Sequence, residues 1–171
     1  TRQTRDEEAI PYFKRATELD PNFGRAYSAW GTAAFKIGRQ DEAEANHKKA
    51  LSLLDRMTER ERYRTLGVYY LAVSKNYDKA IENFSTLVKE YPSDAAAYNN
   101  LAVAYTNKLD FPNASENGRK ALEIYPRNRL YRSNYALYAM YAGDFKASAT
   151  EAANLLKEDP NYFIAYLPLA I

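Results

Sequence analysis

The sequence predicts an all-α fold, an α-solenoid built from antiparallel helix hairpins. Pro92, Pro126 and Pro160 stand 34 residues apart, each preceded at twelve residues by a small residue, Ala80, Ala114 and Ser148. Pro21 follows Ala9 by the same twelve, and its 71-residue distance to Pro92 is two periods plus three. Small and aromatic positions also recur inside each period, as expected where knobs of one helix enter holes on the next.

Residues 1–21, with DEEAIPYFKRATELDP, read as the second helix of a truncated unit, with Ala9, Phe13 and Pro21 in register. Residues 24–59 carry Tyr27, Trp30, Gly31, Ala34, Ala43 and His47 at the repeating positions, with Asp55 where proline would fall. Residues 60–94 carry Tyr63, Leu66, Gly67, Tyr70, Ala80, Phe84 and Pro92. Residues 95–128 carry Tyr98, Leu101, Ala102, Tyr105, Ala114, Gly118 and Pro126. Residues 129–162 are the weakest match, with Arg132, Tyr135, Ala136, Ala139, Ser148, Ala152 and Pro160. Residues 163–171 read as a first helix alone, with Tyr166, Leu169 and Ala170 in register and Pro168 expected to fray or kink it.

Gly or Ala at the first small position and Ala or Ser at the second let two helix backbones approach closely. Their spacing is twelve residues in three units but thirteen from Gly67 to Ala80, which places one extra residue near Ser74, Lys75 and Asn76. The first unit is longer by two through LLDRMTERER, predicting a longer helix or an altered turn around residues 55–60 and a local change of pitch. Asp41, Asp110 and Asp144 are expected N-caps of second helices, Gly143 a helix stop, and Pro112 a first-turn proline. The apolar last segment predicts homo-association through the truncated end units.

Composition narrows the function classes. With 46% hydrophobic and 27% charged residues the chain reads as folded and soluble. Lys+Arg 24 against Asp+Glu 22 leaves +2, too balanced to predict nucleic acid as a partner. The absence of cysteine excludes disulfides and thiolate metal sites. No run of eighteen apolar residues occurs, and the start TRQTRDEEA does not read as a signal peptide, so no direct membrane contact is expected.

No catalytic constellation, cofactor site or metal site is expected. The single histidine, His47, reads as a structural side chain. Gly24, Gly31 and Gly38 are seven apart but lack the Lys-Ser/Thr ending of a phosphate loop. Acidic pairs such as Glu7 and Glu8 fall at helix starts, where they complement the dipole. The alternating charges Arg56, Glu59, Arg60, Glu61, Arg62 and Arg64 fit a solvated helix face, with a basic docking patch as the alternative. Most of the 16 tyrosines sit at repeat-defining core positions.

The recurring positions resemble the tetratricopeptide repeat (TPR): an aromatic, then Leu-Gly, Tyr, later Ala-x-x-x-Phe, and Pro. The resemblance covers nearly the whole chain and implies a right-handed superhelix with a concave wall made by the first helices. Carried over residue by residue, it implies a peptide-binding groove of Arg64, Val68, Asn99, Asn100, Val103, Asn107, Asn134, Leu137 and Tyr141. Asn100 and Asn134 share one repeat position, which resembles the asparagine ladder that holds an extended peptide backbone in some family members. Val68, Leu71, Val103, Leu137, Met140, Tyr141 and Phe35 line a groove for apolar side chains or belong to the core. The chaperone-tail carboxylate clamp is similar only in Arg64 and Asn100. Val68, Leu130 and Asn134 depart from it, so that clamp is not expected.

The segments LDPNFGRAYSAWGTAAFKIGRQDEAEANHKKAL, TERERYRTLGVYYLAVSKNYDKAI and LYRSNYALYAMYAGDF further resemble the C-terminal TPR arrays of bacterial membrane-anchored serine/threonine protein kinases. That resemblance implies an extracytoplasmic sensor or docking region, where a cytoplasmic location is expected otherwise. The chain has no glycine-rich kinase loop, no His-Arg-Asp and no Asp-Phe-Gly, so phosphotransfer would belong to another part of a parent protein. The expected function is a noncatalytic protein-interaction scaffold for a peptide or helix. A kinase regulatory or dimerisation segment and a structural spacer are the alternatives.

Overall fold

The computed structural model describes residues 2–169, with side chains from residue 5 onward. Among the described residues every regular element is helical and no strand occurs. The chain divides into two compact units, one up to Asn83 and one from Phe84.

Unit 1 contains α1 (Arg2–Leu19), α2 (Gly24–Lys36), α3 (Gln40–Leu51), a 3₁₀ turn (Leu54–Arg56), α4 (Glu59–Ala72) and the start of α5 (Tyr77–Glu90). Helix α1 runs on through Pro11, which has no N–H to give to the carbonyl four residues back. Ile10, Ala33, Ala34 and Ala43 form a buried cluster, with Phe13, Trp30, Phe35 and Ile37 packed against it. The small residues bring α2 and α3 close together: a Cβ added to Gly31 would lie 3.0 Å from the Ala43 carbonyl and 2.8 Å from the His47 ring. The Trp30 indole N–H donates to Glu42 Oε1 at 2.7 Å and closes the same hairpin.

The altered turn expected around residues 55–60 is present. Helix α3 stops at Leu51, and the chain crosses the 3₁₀ turn before α4 starts at a capping box. The Thr58 amide donates to Glu61 Oε2 at 3.0 Å, and the Glu61 amide donates to Thr58 Oγ1 at 3.4 Å. Asp41 is not an N-cap. It lies in the first turn of α3, whose cap position is Arg39 without a side-chain bond, and it acts there through the helix dipole.

Unit 2 contains the rest of α5, then α6 (Ala95–Asn107), α7 (Phe111–Ile124), α8 (Arg129–Tyr141), α9 (Phe145–Glu158) and a 3₁₀ helix (Phe163–Leu169). Asp110 and Asp144 are N-caps as expected, accepting from Asn113 N at 3.2 Å and Ala147 N at 3.0 Å. Pro112 falls in the first turn of α7, where a missing N–H costs nothing. The two small positions of the last full repeat touch, because Ser148 Oγ donates to the Ala136 carbonyl at 2.8 Å. Residues 163–169 are 3₁₀ where an α-helix was expected, with Pro168 inside the element. Ala165 and Pro168 are buried there, whereas Phe163, Tyr166, Leu167 and Leu169 are exposed. Ala170, placed in register by the sequence, and Ile171 lie outside the described residues.

One residue at each hairpin tip adopts a left-handed backbone: Gly38 (φ +82°), Lys75 (φ +52°), Leu109 (φ +59°) and Gly143 (φ +85°). Lys75 sits in the stretch where the spacing placed one extra residue. A side chain in this conformation costs about 1 kcal/mol, so Gly143→Ala is expected to lower stability by about 1 kcal/mol in urea denaturation. Added Cβ space is not the cause, because nothing lies within 4 Å of it.

Candidate functional site

The nine groove residues divide between the units. Arg64 and Val68 lie on α4 of unit 1; Asn99, Asn100, Val103 and Asn107 lie on α6 of unit 2, and Asn134, Leu137 and Tyr141 on α8.

In unit 2, Asn134 Nδ2 donates to Asn99 Oδ1 at 2.8 Å and joins α8 to α6. The sequence singled out Asn100 as the repeat partner of Asn134. Successive helical residues point about 100° apart, so α6 turns only one of Asn99 and Asn100 toward α8. Asn99 is nearly buried by this contact, while Asn100 stays half-buried and makes no side-chain hydrogen bond among the described residues. Asn107 is exposed and donates to the Val103 carbonyl at 2.8 Å, a local bond that ties the amide to its own helix.

The apolar members have mixed roles. Val103 packs against the buried cluster of Ala102, Ala114 and Tyr138, so it belongs largely to the core. Burial pushes the Tyr138 hydroxyl up to about 12, against a smaller lowering by its hydrogen bond with Thr106. Met140 is buried, Leu137 is half-buried, and Tyr141 is exposed and stacked on Phe111 with ring centroids 5.1 Å apart.

In unit 1, Val68 is half-buried, and Arg64 lines an open depression of about 300 Å³ together with Phe23, Arg25, Arg60 and Glu61. Arg25 Nη1 donates to Ser28 Oγ and Thr65 Oγ1, both at 3.3 Å. The charge run carried Arg60 and Arg64 in sequence. Arg25, from α2, joins them only in three dimensions.

Two other polar side chains are buried outside the groove. Arg132 stands where the other full repeats carry Tyr, yet it is buried and pairs with Glu151 at 3.2 Å and Glu158 at 2.5 Å. Burial pulls its guanidinium down, but the two carboxylates outweigh that and leave it raised. His47 is 1% exposed, and neither ring nitrogen has a hydrogen-bond partner. Among the described residues no group of His, Asp and Glu could hold a metal ion, and no helix is long and apolar enough to cross a membrane.

Comparison with known proteins agrees with this geometry. Two family profiles, both described as tetratricopeptide repeat, match residues 64–129 and 2–23, together just over half of the chain. Tetratricopeptide repeat protein 37 of Xenopus laevis is 23% identical over 150 residues, covering 88% of this chain, which spans only 10% of that protein's length. A thermophilic TPR protein of Thermus thermophilus superposes with a TM-score of 0.74 at 18% identity, over 98% of this chain and 92% of that one. YrrB, described as a TPR protein with an unusual peptide-binding site, superposes with a TM-score of 0.62 at 17% identity, over 98% and 85%. The 34-residue period, the close small-residue contacts within hairpins and these matches lead to one conclusion: the chain belongs to the tetratricopeptide repeat family.

Proposed function

We propose that this chain is a noncatalytic protein-interaction scaffold, and that the α6/α8 face of unit 2 holds an extended peptide segment. The observation that carries the reading is the Asn134 to Asn99 amide pair on neighbouring helices. A primary amide offers two donors and an acceptor with two lone pairs, and the mutual bond uses one donor and one lone pair. The remaining capacity of Asn134, with half-buried Asn100 beside Asn99, suits a peptide backbone regardless of its side chains. Exposed Tyr141, held by its stack on Phe111, supplies an apolar anchor on the same helix as Asn134. The peptide-binding site in the description of YrrB adds support from a similarly folded protein. A role as kinase regulatory segment rests on the sequence resemblance alone.

Peptides selected by display against the full chain, then measured by calorimetry, test the reading. Asn134→Ala is expected to weaken the selected peptides about tenfold, the worth of one or two hydrogen bonds in a partly desolvated site. Unchanged affinity across all selected peptides for Asn134→Ala and Asn100→Ala would reject the amide face as the binding surface.

A further inference from the structure

We propose that the α6/α8 face selects an uncharged peptide segment carrying one aromatic or large aliphatic side chain. This rests on the amide-face binding put forward above and adds the chemical class of the ligand. The distribution of charge is the first ground. Helix α6 has no charged residue between Ala95 and Asn107. Its partly accessible positions include Asn100, Val103, Thr106 and Asn107, which present amide, hydroxyl and apolar groups. Helix α8 has two charged residues, Arg129 and Arg132, and both are committed elsewhere. Arg129 pairs with Asp159 at the C-cap of α9, and buried Arg132 pairs with Glu151 and Glu158 of α9. The charges that flank α6 belong to helix ends. Asp94 and Asp110 accept from amides as the N-caps of α6 and α7, and Lys108, the C-cap of α6, complements its dipole.

An ionised ligand side chain brought onto this face would give up water without meeting an opposite charge, a loss that amide and apolar groups avoid. The amides of Asn134 and Asn100 both donate and accept, so they serve a neutral backbone.

Helix geometry adds the second ground. Tyr141 follows Asn134 by seven residues, which is two helical turns less about 20°, so both lie on one face of α8 about 10.5 Å apart along its axis. Half-buried Leu137 lies between them. An extended chain rises about 3.3 Å per residue, so about three residues reach from a backbone amide at Asn134 to an apolar contact at Tyr141. The Tyr141 ring is 52% exposed and is backed by Phe111 with centroids 5.1 Å apart, so it offers a fixed apolar surface.

The test is a titration of the isotope-labelled full chain with capped hexapeptides, acetyl-Ser-Gly-Ser-Gly-Xaa-Gly-amide, in which Xaa is Phe, Ala, Glu or Lys and the caps remove the terminal charges. Amide chemical shifts report where each one binds. The Phe peptide is expected to shift Asn99, Asn134 and Tyr141 and to bind at least about fivefold more tightly than the Ala peptide, with the Glu and Lys peptides both no tighter than Ala. Raising NaCl from about 50 to about 500 mM is expected to change the Phe affinity less than about twofold, since no ion pair forms. Tyr141→Ala is expected to bring the Phe and Ala peptides to within about twofold of each other. Asn100→Asp, of nearly the same shape, puts one negative charge on the face and is expected to raise the Lys peptide above the Glu peptide by about threefold or more. That reversal keeps the test decisive even where Tyr141→Ala lowers stability. A Glu or Lys peptide that binds the wild type as tightly as Phe, an affinity that falls with salt, a Phe preference that survives Tyr141→Ala, or a Glu and Lys order unmoved by Asn100→Asp overturns this proposal while amide-face binding stands. No shift on α6 or α8 with any of the four peptides rejects both.

Discussion

Lowering the pH from 7 to 4 is expected to remove about 3 kcal/mol of stability through His47 alone, at about 1.4 kcal/mol for each unit of pKa difference. Burial lowers the pKa of this imidazole from the ordinary 6.5 to about 4. Between these values the unfolded chain binds a proton that the folded chain refuses, so stability is fully present above about pH 7 and falls as pH drops toward 4. Below the folded value this histidine adds no further loss. The ring is pressed against Gly31, and neither nitrogen has a partner, so a proton cannot be accommodated by a new hydrogen bond within the hairpin.

Urea unfolding of the wild type and of His47→Phe at pH 7, 5 and 4 measures this. The carboxylates of Glu44, Glu116 and Asp159, lowered chiefly by hydrogen bonds to Lys48, Arg119 and Arg129, also lose stabilisation in acid. They do so in both proteins, so the difference between the two curves isolates the histidine. Phenylalanine is the residue that the repeat pattern carries here, and it removes two buried unpaired polar atoms at similar shape. His47→Phe should therefore match or exceed the wild type at pH 7 by about 1 kcal/mol, and the gap should widen by about 3 kcal/mol at pH 4. A constant gap across the pH range would show that the histidine is solvated in the folded chain.

Arg132→Ala is expected to cost about 2–3 kcal/mol, toward the lower end for breaking a buried ion pair. The Arg132 side chain is 9% exposed, whereas Glu151 and Glu158 are 22% and 53% exposed and can regain water once it is gone. What is lost is the bridge from α8 to two positions along α9, together with the packing of the long aliphatic stem. Glu158→Gln should cost less than about 1 kcal/mol, because that carboxylate is largely solvated. Chemical denaturation of both variants separates the effects. An Arg132→Ala cost equal to that of Glu158→Gln would mean the guanidinium contributes as a surface charge only.

How much of this was legible in the chain differs from residue to residue. Asp110 and Asp144 could be read as caps because a cap acts on the amide three residues on, and Asp41 misled because the same residue type also stabilises a helix from inside its first turn. The Thr58 to Glu61 capping box was equally local and could have been found from Thr-x-x-Glu ahead of the helix. The sequence set Asn134 beside Asn100 at one repeat position, whereas its amide bonds Asn99, because a repeat register specifies equivalent positions and not the rotation of one helix against the next. Arg132 read as a poor repeat match since the compensating glutamates lie 19 and 26 residues away on another helix.

Periodicity of small residues and prolines, with local capping chemistry, was enough to establish the all-α hairpin array, because helix formation and close backbone approach depend on residues a few positions apart. The meeting of Arg25 with Arg60 and Arg64, the choice of Asn99 over Asn100, and the burial of His47 without a partner followed only from packing. Each depends on the angle and depth at which separate helices meet, and side-chain volumes far apart in the chain set those quantities together.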